Sequence, residues 1–254
     1  MIRIVVAMAG RGMRFAEAGY AIPKPLIPIH GVPMVEFVVG NVRPRRPHQF
    51  IFAALDEHLD RWNLRAILER IAPGCIVISV EGVTEGAAST VLLARRWIDA
   101  PEPLLVANCD QWVDTDIDLF VDELVRGPAD GLIMTMRADD PRWSFVGFDG
   151  AGRVDRVVEK EVISNEATVG IYGFRRGSDF VRAADAMVAG NHRVKGEFYL
   201  APVYNQVIAS GGRVDVHSVG SLGEGMHGLG TPEDVERFLR LPISKTAVAR
   251  DRTP

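Results

Sequence analysis

Ile4-Val5-Val6-Ala7-Met8-Ala9-Gly10-Arg11-Gly12-Met13-Arg14-Phe15 stands at the start of the chain, and Lys24-Pro25-Leu26 follows nine residues later. The apolar run predicts a strand, Ile2–Ala9, that leads straight into a loop with two glycines and two arginines. Glycine lets the backbone approach a ligand closely and adopt φ > 0. Successive backbone N–H groups in such a turn form an anion-binding concavity, and Arg11, Arg14 and Lys24 add fixed positive charge. A nucleoside triphosphate needs that combination, so the stretch predicts a nucleotide-using enzyme.

Working outward, strand-like runs at Gln49–Ala54, Cys75–Val80 and Pro103–Ala107 alternate with helical patterns at Pro33–Val42, Glu57–Ile71 and Ala87–Ile98. Leu59, Leu64, Ile67, Leu68 and Ile71 recur at helical spacing, and Pro73-Gly74 stops that helix. Short buried strands separated by helices predict βαβ units and a mainly parallel sheet covered on both faces. Ligands of such sheets bind beyond the carboxyl ends of the strands. The second half predicts strands at Asp130–Arg137, Trp143–Phe148, Val154–Glu159, Thr168–Phe174 and Arg213–His217. Helices are expected at Ser178–Val188, Phe198–Ser210 and Pro232–Leu241. No composition shift marks a linker, so residues 1–242 are expected to form one domain. Residues 243–254 lack periodicity and are expected to be a frayed tail.

The 254 residues suffice for a sizeable core. A net charge of −4 gives no support to a nucleic-acid surface, so the cationic loop is a local feature. Cys75 and Cys109 are too few for a disulfide scaffold, and each lies in or beside an apolar run where a buried free thiol is the simpler reading. The N-terminal run has no signal-peptide pattern, and no segment approaches the roughly 20 apolar residues of a membrane helix. A cytoplasmic location without membrane partners is expected.

Two familiar phosphate-binding patterns fail. A dinucleotide fingerprint requires a third glycine where Phe15 stands, and a Walker A loop requires its lysine next to the second glycine, far from Lys24. What remains resembles the sugar-1-phosphate nucleotidyltransferase superfamily, whose signature is a Gly-x-Gly-x-Arg loop followed by Pro-Lys-Pro-Leu. Here that signature stands as Gly10-Arg11-Gly12-Met13-Arg14 and Pro23-Lys24-Pro25-Leu26. The Met-Ala-Gly-Arg-Gly opening, Asn108-Cys109-Asp110-Gln111 and Gly196-Glu197-Phe198-Tyr199-Leu200 are closer to the branch of phosphocholine and other capsule-headgroup cytidylyltransferases.

The resemblance implies a three-layer αβα fold with a Rossmann-like central sheet, extended by strands from the second half. It implies that Ala9, Gly10, Arg11 and Gly12, with Arg14 and Lys24, hold the triphosphate, and that Asp110 binds Mg²⁺ at the end of the fourth strand. Taken alone, Asp110 would read as a turn or N-cap residue. The superfamily usually supplies a second metal carboxylate before a Gly-Thr pair, and this chain has Gly228 there. Glu224, His227 or another residue completes the site, or a single carboxylate suffices. Glu233 and Asp234 read as first-turn helix acids that suit the macrodipole.

The resemblance also places the nucleobase against Gly86, Ala87 and Ser89, and the acceptor against Glu159, Lys160, Gly170 and Glu197. As isolated residues, Glu159 and Lys160 fit equally a solvated pair on an edge strand. Trp143-Ser144-Phe145 is expected to flank the acceptor pocket. The implied partners are small molecules, a nucleoside triphosphate and a phosphorylated acceptor (a sugar 1-phosphate or a similar headgroup phosphate), with pyrophosphate released. The base, the acceptor and any homo-oligomer stay open. Two alternatives also stay open. A metal-dependent glycosyltransferase of similar fold would use the Asp114-Thr115-Asp116 pattern. A non-catalytic nucleotide-binding relative would explain Gly228.

Overall fold

The computed structural model describes residues 1–250. In chain order the strands are β1 (Ile2–Met8), β2 (Pro28–Ile29), β3 (Val32–Pro33), β4 (His48–Leu55), β5 (Ile76–Val80), β6 (Leu104–Asn108), β7 (Gln111–Val113), β8 (Gly131–Arg137), β9 (Ser144–Phe148), β10 (Val154–Glu159), β11 (Glu166–Phe174), β12 (Val214–Leu222) and β13 (Gly225–Gly228). The helices are α1 (Met13–Glu17), α2 (Met34–Asn41), α3 (Asp56–Arg61), α4 (Leu64–Ile71), α5 (Ala87–Leu92), α6 (Arg95–Ile98), α7 (Ile117–Arg126), α8 (Gly177–Ala189), α9 (Val203–Ala209), α10 (Pro232–Arg240) and α11 (Pro242–Arg250). No helix of the described residues is long and apolar enough to cross a membrane.

One large sheet runs β5-β4-β1-β6-β11-β8-β12-β13-β7, with β9 joined to β11 and β10 to β9. From β5 to β6 every pairing is parallel; over the whole sheet only β7, β10 and β11 run against the other strands. The unbroken apolar run of β1 follows from burial on both faces. Ile4, Val6 and Met8 join Val39, Leu64 and Phe120 in one layer. Val5 joins Ala88, Val91 and Phe180 in the other. The result is the three-layer αβα, mainly parallel, Rossmann-like arrangement expected from the sequence.

A third cluster gathers Phe15, Ile27, Phe37, Trp112, Phe238 and Ala247. The rings of Phe37 and Trp112 stack with centroids 6.1 Å apart. It backs the segment between β1 and α2, which contains the glycine loop, the Lys24–Leu26 3₁₀ turn and the β2–β3 hairpin. Ala7 of β1 and Asn108 of β6 are register partners. The loop after β1 and the residues after β6 therefore leave the sheet side by side.

Several expected elements differ. The helix expected over Glu57–Ile71 is two helices, because Asn63 takes φ 50° between α3 and α4. That expected over Ala87–Ile98 is likewise broken, into α5 and α6. The helix expected from Phe198 starts only at Val203, because the backbone of Phe198 is spent on another segment: its N–H donates to Glu85 O and its carbonyl accepts from Ala88 N. The frayed tail expected from residue 243 is a helix as far as Arg250, with Ala247 and Val248 buried in the third cluster. Residues 251–254 of that tail lie outside the described residues.

Candidate active site

The cleft at the carboxyl ends of β1 and β6 has a volume of about 800 Å³. Its first wall is the glycine loop. Gly12 caps α1 at φ 62°, and a Cβ there would lie 3.1 Å from the Cβ of Lys24. A side chain at position 12 would thus crowd the lysine that the loop admits. Pro23 and Pro25 bracket Lys24 and set its backbone, Pro23 at φ −65°.

Lys24 Nζ reaches Asp110 Oδ2 at 2.6 Å, with the two side chains 19% and 25% exposed. Burial pulls the Lys24 ammonium down and the nearby Arg14 guanidinium does the same, but the charge and hydrogen bond of Asp110, together with the neighbouring Cys109, leave its pKa above the ordinary lysine value. Burial pushes the Cys109 thiol up to about 11, so it sits beside this pair as a neutral group at neutral pH.

The second wall is a pair of stitched turns. Gly86 has φ 129°, and a Cβ there would lie 2.5 Å from the backbone oxygen of Phe198. Thr84 Oγ1 donates to Gly86 O at 2.9 Å, and Arg193 holds Glu85 at 2.8 Å. The third wall carries Glu159 and Lys160. Ser144 Oγ donates to Glu159 Oε2. Lys160 takes φ 59°, donates to the Tyr199 hydroxyl, and lies 4.5 Å from the centre of that ring. Burial raises the Glu159 carboxyl above its ordinary value, against the Ser144 hydrogen bond and the charge of Lys160.

Of the residues singled out from the sequence, Ala9, Gly10, Gly12, Arg14, Lys24, Gly86, Ala87, Asp110, Glu159, Lys160, Gly170 and Glu197 all line this one cleft. Arg11 and Ser89 do not. Arg11 is exposed on the loop and Ser89 is half-buried in the first turns of α5. Trp143 and Ser144 line the cleft, whereas Phe145 is fully buried core. Neither Glu224 nor His227 reaches the cleft. His227 packs against Trp112 and Phe238, and burial lowers its pKa. Asp116 of the Asp-x-Asp pattern is the N-cap of α7, accepting from Asp118 N at 3.0 Å, and pairs with Arg45.

Sequence reasoning missed Arg142, Gln111 and Asp234 as cleft residues. Asp234 is 8% exposed and meets Arg142 at 3.4 Å. Its spacing after Thr231 signalled only a helix start, which it also is: its N–H donates to Thr231 Oγ1 at 3.1 Å. Gln111 is 2% exposed, and its Oε1 has no hydrogen-bond partner among the described residues.

Among the described residues no group of three or more His, Cys, Asp or Glu side chains could hold a metal by itself. Magnesium does not need one, since it takes one or two carboxylates and completes its shell with phosphate oxygens and water. Asp110, whose carboxylate lines the cleft after β6, fits that role.

The sequence and the fold are similar to those of known proteins. A profile of the nucleotidyl transferase family matches residues 4–195. The bifunctional protein GlmU of Burkholderia vietnamiensis is 27% identical over 217 residues, 83% of this chain and 45% of that protein. The chain thus spans about half the length of the curated relatives it matches. Among solved structures, a nucleoside-diphosphate-sugar pyrophosphorylase from Vibrio cholerae RC9 superposes with a TM-score of 0.78 at 27% identity, covering 94% of this chain and all of that one. The inositol-1-phosphate CTP transferase of T. maritima shares the fold, with a TM-score of 0.75 at 14% identity over 98% of this chain and 96% of that one. With its Gly-x-Gly-x-Arg loop, aimed lysine and strand-end aspartate in one cleft, the chain belongs to the nucleotidyl transferase family.

Proposed function

We propose that the protein transfers a nucleoside monophosphate from a nucleoside triphosphate to a phosphorylated acceptor, a sugar 1-phosphate or a related headgroup phosphate, and releases pyrophosphate. The observation that carries this reading is the meeting of Lys24 and Asp110 at the mouth of the glycine loop. An acceptor phosphate oxygen attacks the α-phosphorus; the new P–O bond forms as the bond to the β-phosphate oxygen breaks. No enzyme nucleophile is needed, and in-line positioning with charge neutralisation does the work.

In this reading the backbone N–H groups of Ala9–Gly12, with Arg14 and Lys24, hold the phosphates that become the leaving group. Gly86 and Ala87 lie against the base. Glu159, Lys160, Gly170 and Glu197 face the acceptor, with Lys160 neutralising its phosphate. A magnesium ion held at Asp110 would stabilise the charged oxygens around phosphorus. The glycosyltransferase alternative loses its Asp-x-Asp pattern to the capping of α7.

The test is to incubate the protein with each common triphosphate, magnesium and a panel of phosphorylated acceptors while measuring pyrophosphate. Release that requires both substrates is expected. Consumption of a finished nucleotide-sugar instead, or tight nucleotide binding without turnover on any acceptor, would overturn the reading.

A further inference from the structure

We propose that Asp234 supplies a second carboxylate to the divalent cation that accompanies the triphosphate, reaching it from the first turn of α10. This rests on the nucleotidyl-transfer reading and goes beyond it by naming the residue that stands in for the acid missing at position 228.

Gly228 and Gln111 are direct partners in the antiparallel β13–β7 pair. Residues so paired project to the same face of the sheet. A Cβ built at Gly228 would lie 3.7 Å from Asp234 Oδ2. The carboxylate of Asp234 therefore already stands beside the space that an acid at 228 would enter. Two residues on, a Cβ built at Gly230 would lie 3.0 Å from Asp110 Oδ2. Each of the two carboxylates thus lies against a glycine of the segment Gly228-Leu229-Gly230, and Leu229 N ties that segment to Asp110 O at 2.8 Å.

A second observation is an unpartnered acceptor in the lining of the same cleft. Gln111, the register partner of Gly228, carries a buried, neutral Oε1 without a partner among the described residues, 3.3 Å from where a Cβ at Gly170 would lie. Leaving such an acceptor unsatisfied is costly, and an oxygen-seeking cation within its reach would remove that cost. Asp234 itself is held loosely: Arg142 approaches at 3.4 Å and Arg237 at 3.9 Å, both long for charge-assisted bonds. Its capping of α10 uses the backbone N–H, which leaves the carboxylate available.

Mn²⁺ binding followed by electron paramagnetic resonance, with CTP, UTP, dTTP, GTP and ATP tried in turn, tests this. Asp234→Asn preserves shape and cap, and is expected to weaken Mn²⁺ binding about 10-fold or more. Adding Gly228→Asp to that variant should restore binding, because an acid at 228 enters the same space. Wild-type affinity in Asp234→Asn, or a loss that Gly228→Asp does not rescue, overturns the proposal. A second measurement needs no variant: in protein with ¹³C-labelled aspartate carboxylates, bound Mn²⁺ should broaden the signals of both Asp110 and Asp234. A broadened Asp110 with a sharp Asp234 overturns the inference while leaving the transfer reading intact. A wild-type chain that holds no Mn²⁺ with any triphosphate overturns both.

Discussion

Lys24 and Asp110 follow the neighbouring strands β1 and β6 and meet at 2.6 Å, each leaving about a fifth to a quarter of its side chain in contact with solvent. Each partner fixes where the other's charge lies, before any substrate arrives. Such preorganised charge is what a phosphorus centre needs, and removing one such group commonly costs about 10²–10³-fold in rate. Lys24→Ala and Asp110→Asn are each expected to lose that much pyrophosphate release while keeping the wild-type circular dichroism spectrum. Near-normal turnover in either variant would show that the pair is structural only.

Gly86 makes a sharper demand on the fold. Its Cβ would meet the oxygen, nitrogen and carbon of Phe198 at 2.5, 2.6 and 2.9 Å, and backbone cannot swing aside as a flexible side chain can. Its φ of 129° is also strained for any L side chain. Gly86→Ala is expected to cost about 1–3 kcal/mol or more in urea unfolding. Gly82→Ala, with nothing within 4 Å, should change stability by no more than about 0.5 kcal/mol. Because Phe198 lies between Glu197 and Tyr199, Gly86→Ala should raise KM for the acceptor as well as for the triphosphate. A change confined to the triphosphate would separate the two subsites.

A structural feature is legible in a sequence when several residue types depend on it together. β1 and β4 were legible because burial on both faces demands continuous apolar runs, and the glycine loop because its residue types are tied to phosphate chemistry. Breaks such as the left-handed Asn63 depend on a single dihedral and leave no trace in apolar periodicity. The short strands β7 and β13 have too few residues to show a period. Helix α11 looked patternless because its buried face is made of Ser244, Ala247 and Val248, small or moderate groups that do not stand out from their neighbours. Asp234 was hidden by its double duty, since a first-turn acid needs no further explanation. Arg142 lies in an irregular loop whose position is set by packing.

Glu159 links stability to pH. Burial raises its folded-state pKa, so the folded chain holds that proton more tightly than the unfolded chain does. The stability it contributes is therefore greatest at low pH and is lost as pH rises through the raised value. Glu159→Gln removes the titration. The variant should match the wild type near pH 4, about the ordinary carboxylate pKa, and gain on it as pH rises to neutrality. The same substitution should raise KM for the acceptor. Urea unfolding at the two pH values checks the first part, and an unchanged difference between them would refute it.

The last helix is tied to the signature segment by one hydroxyl. Ser244 Oγ, fully buried, donates to Leu241 O at 2.7 Å, which uses its single proton. Its contact with His30 Nε2, also 2.7 Å, must then be a hydrogen bond donated by the imidazole. His30 sits between β2 and β3, four residues after the Lys24–Leu26 turn. Ser244→Ala leaves both partners without this bond, a loss of about 1 kcal/mol. In a domain of this size that corresponds to a Tm lower by about 2–4 °C. Ala247→Asp should lower it further, because it buries a carboxylate among Phe37, Trp112 and Phe238 with no cation supplied. Since the same cluster backs the glycine loop through Phe15 and Ile27, Ala247→Asp should also raise KM for the triphosphate. A variant that melts early yet keeps wild-type KM would mean that α11 stabilises the fold without positioning Lys24.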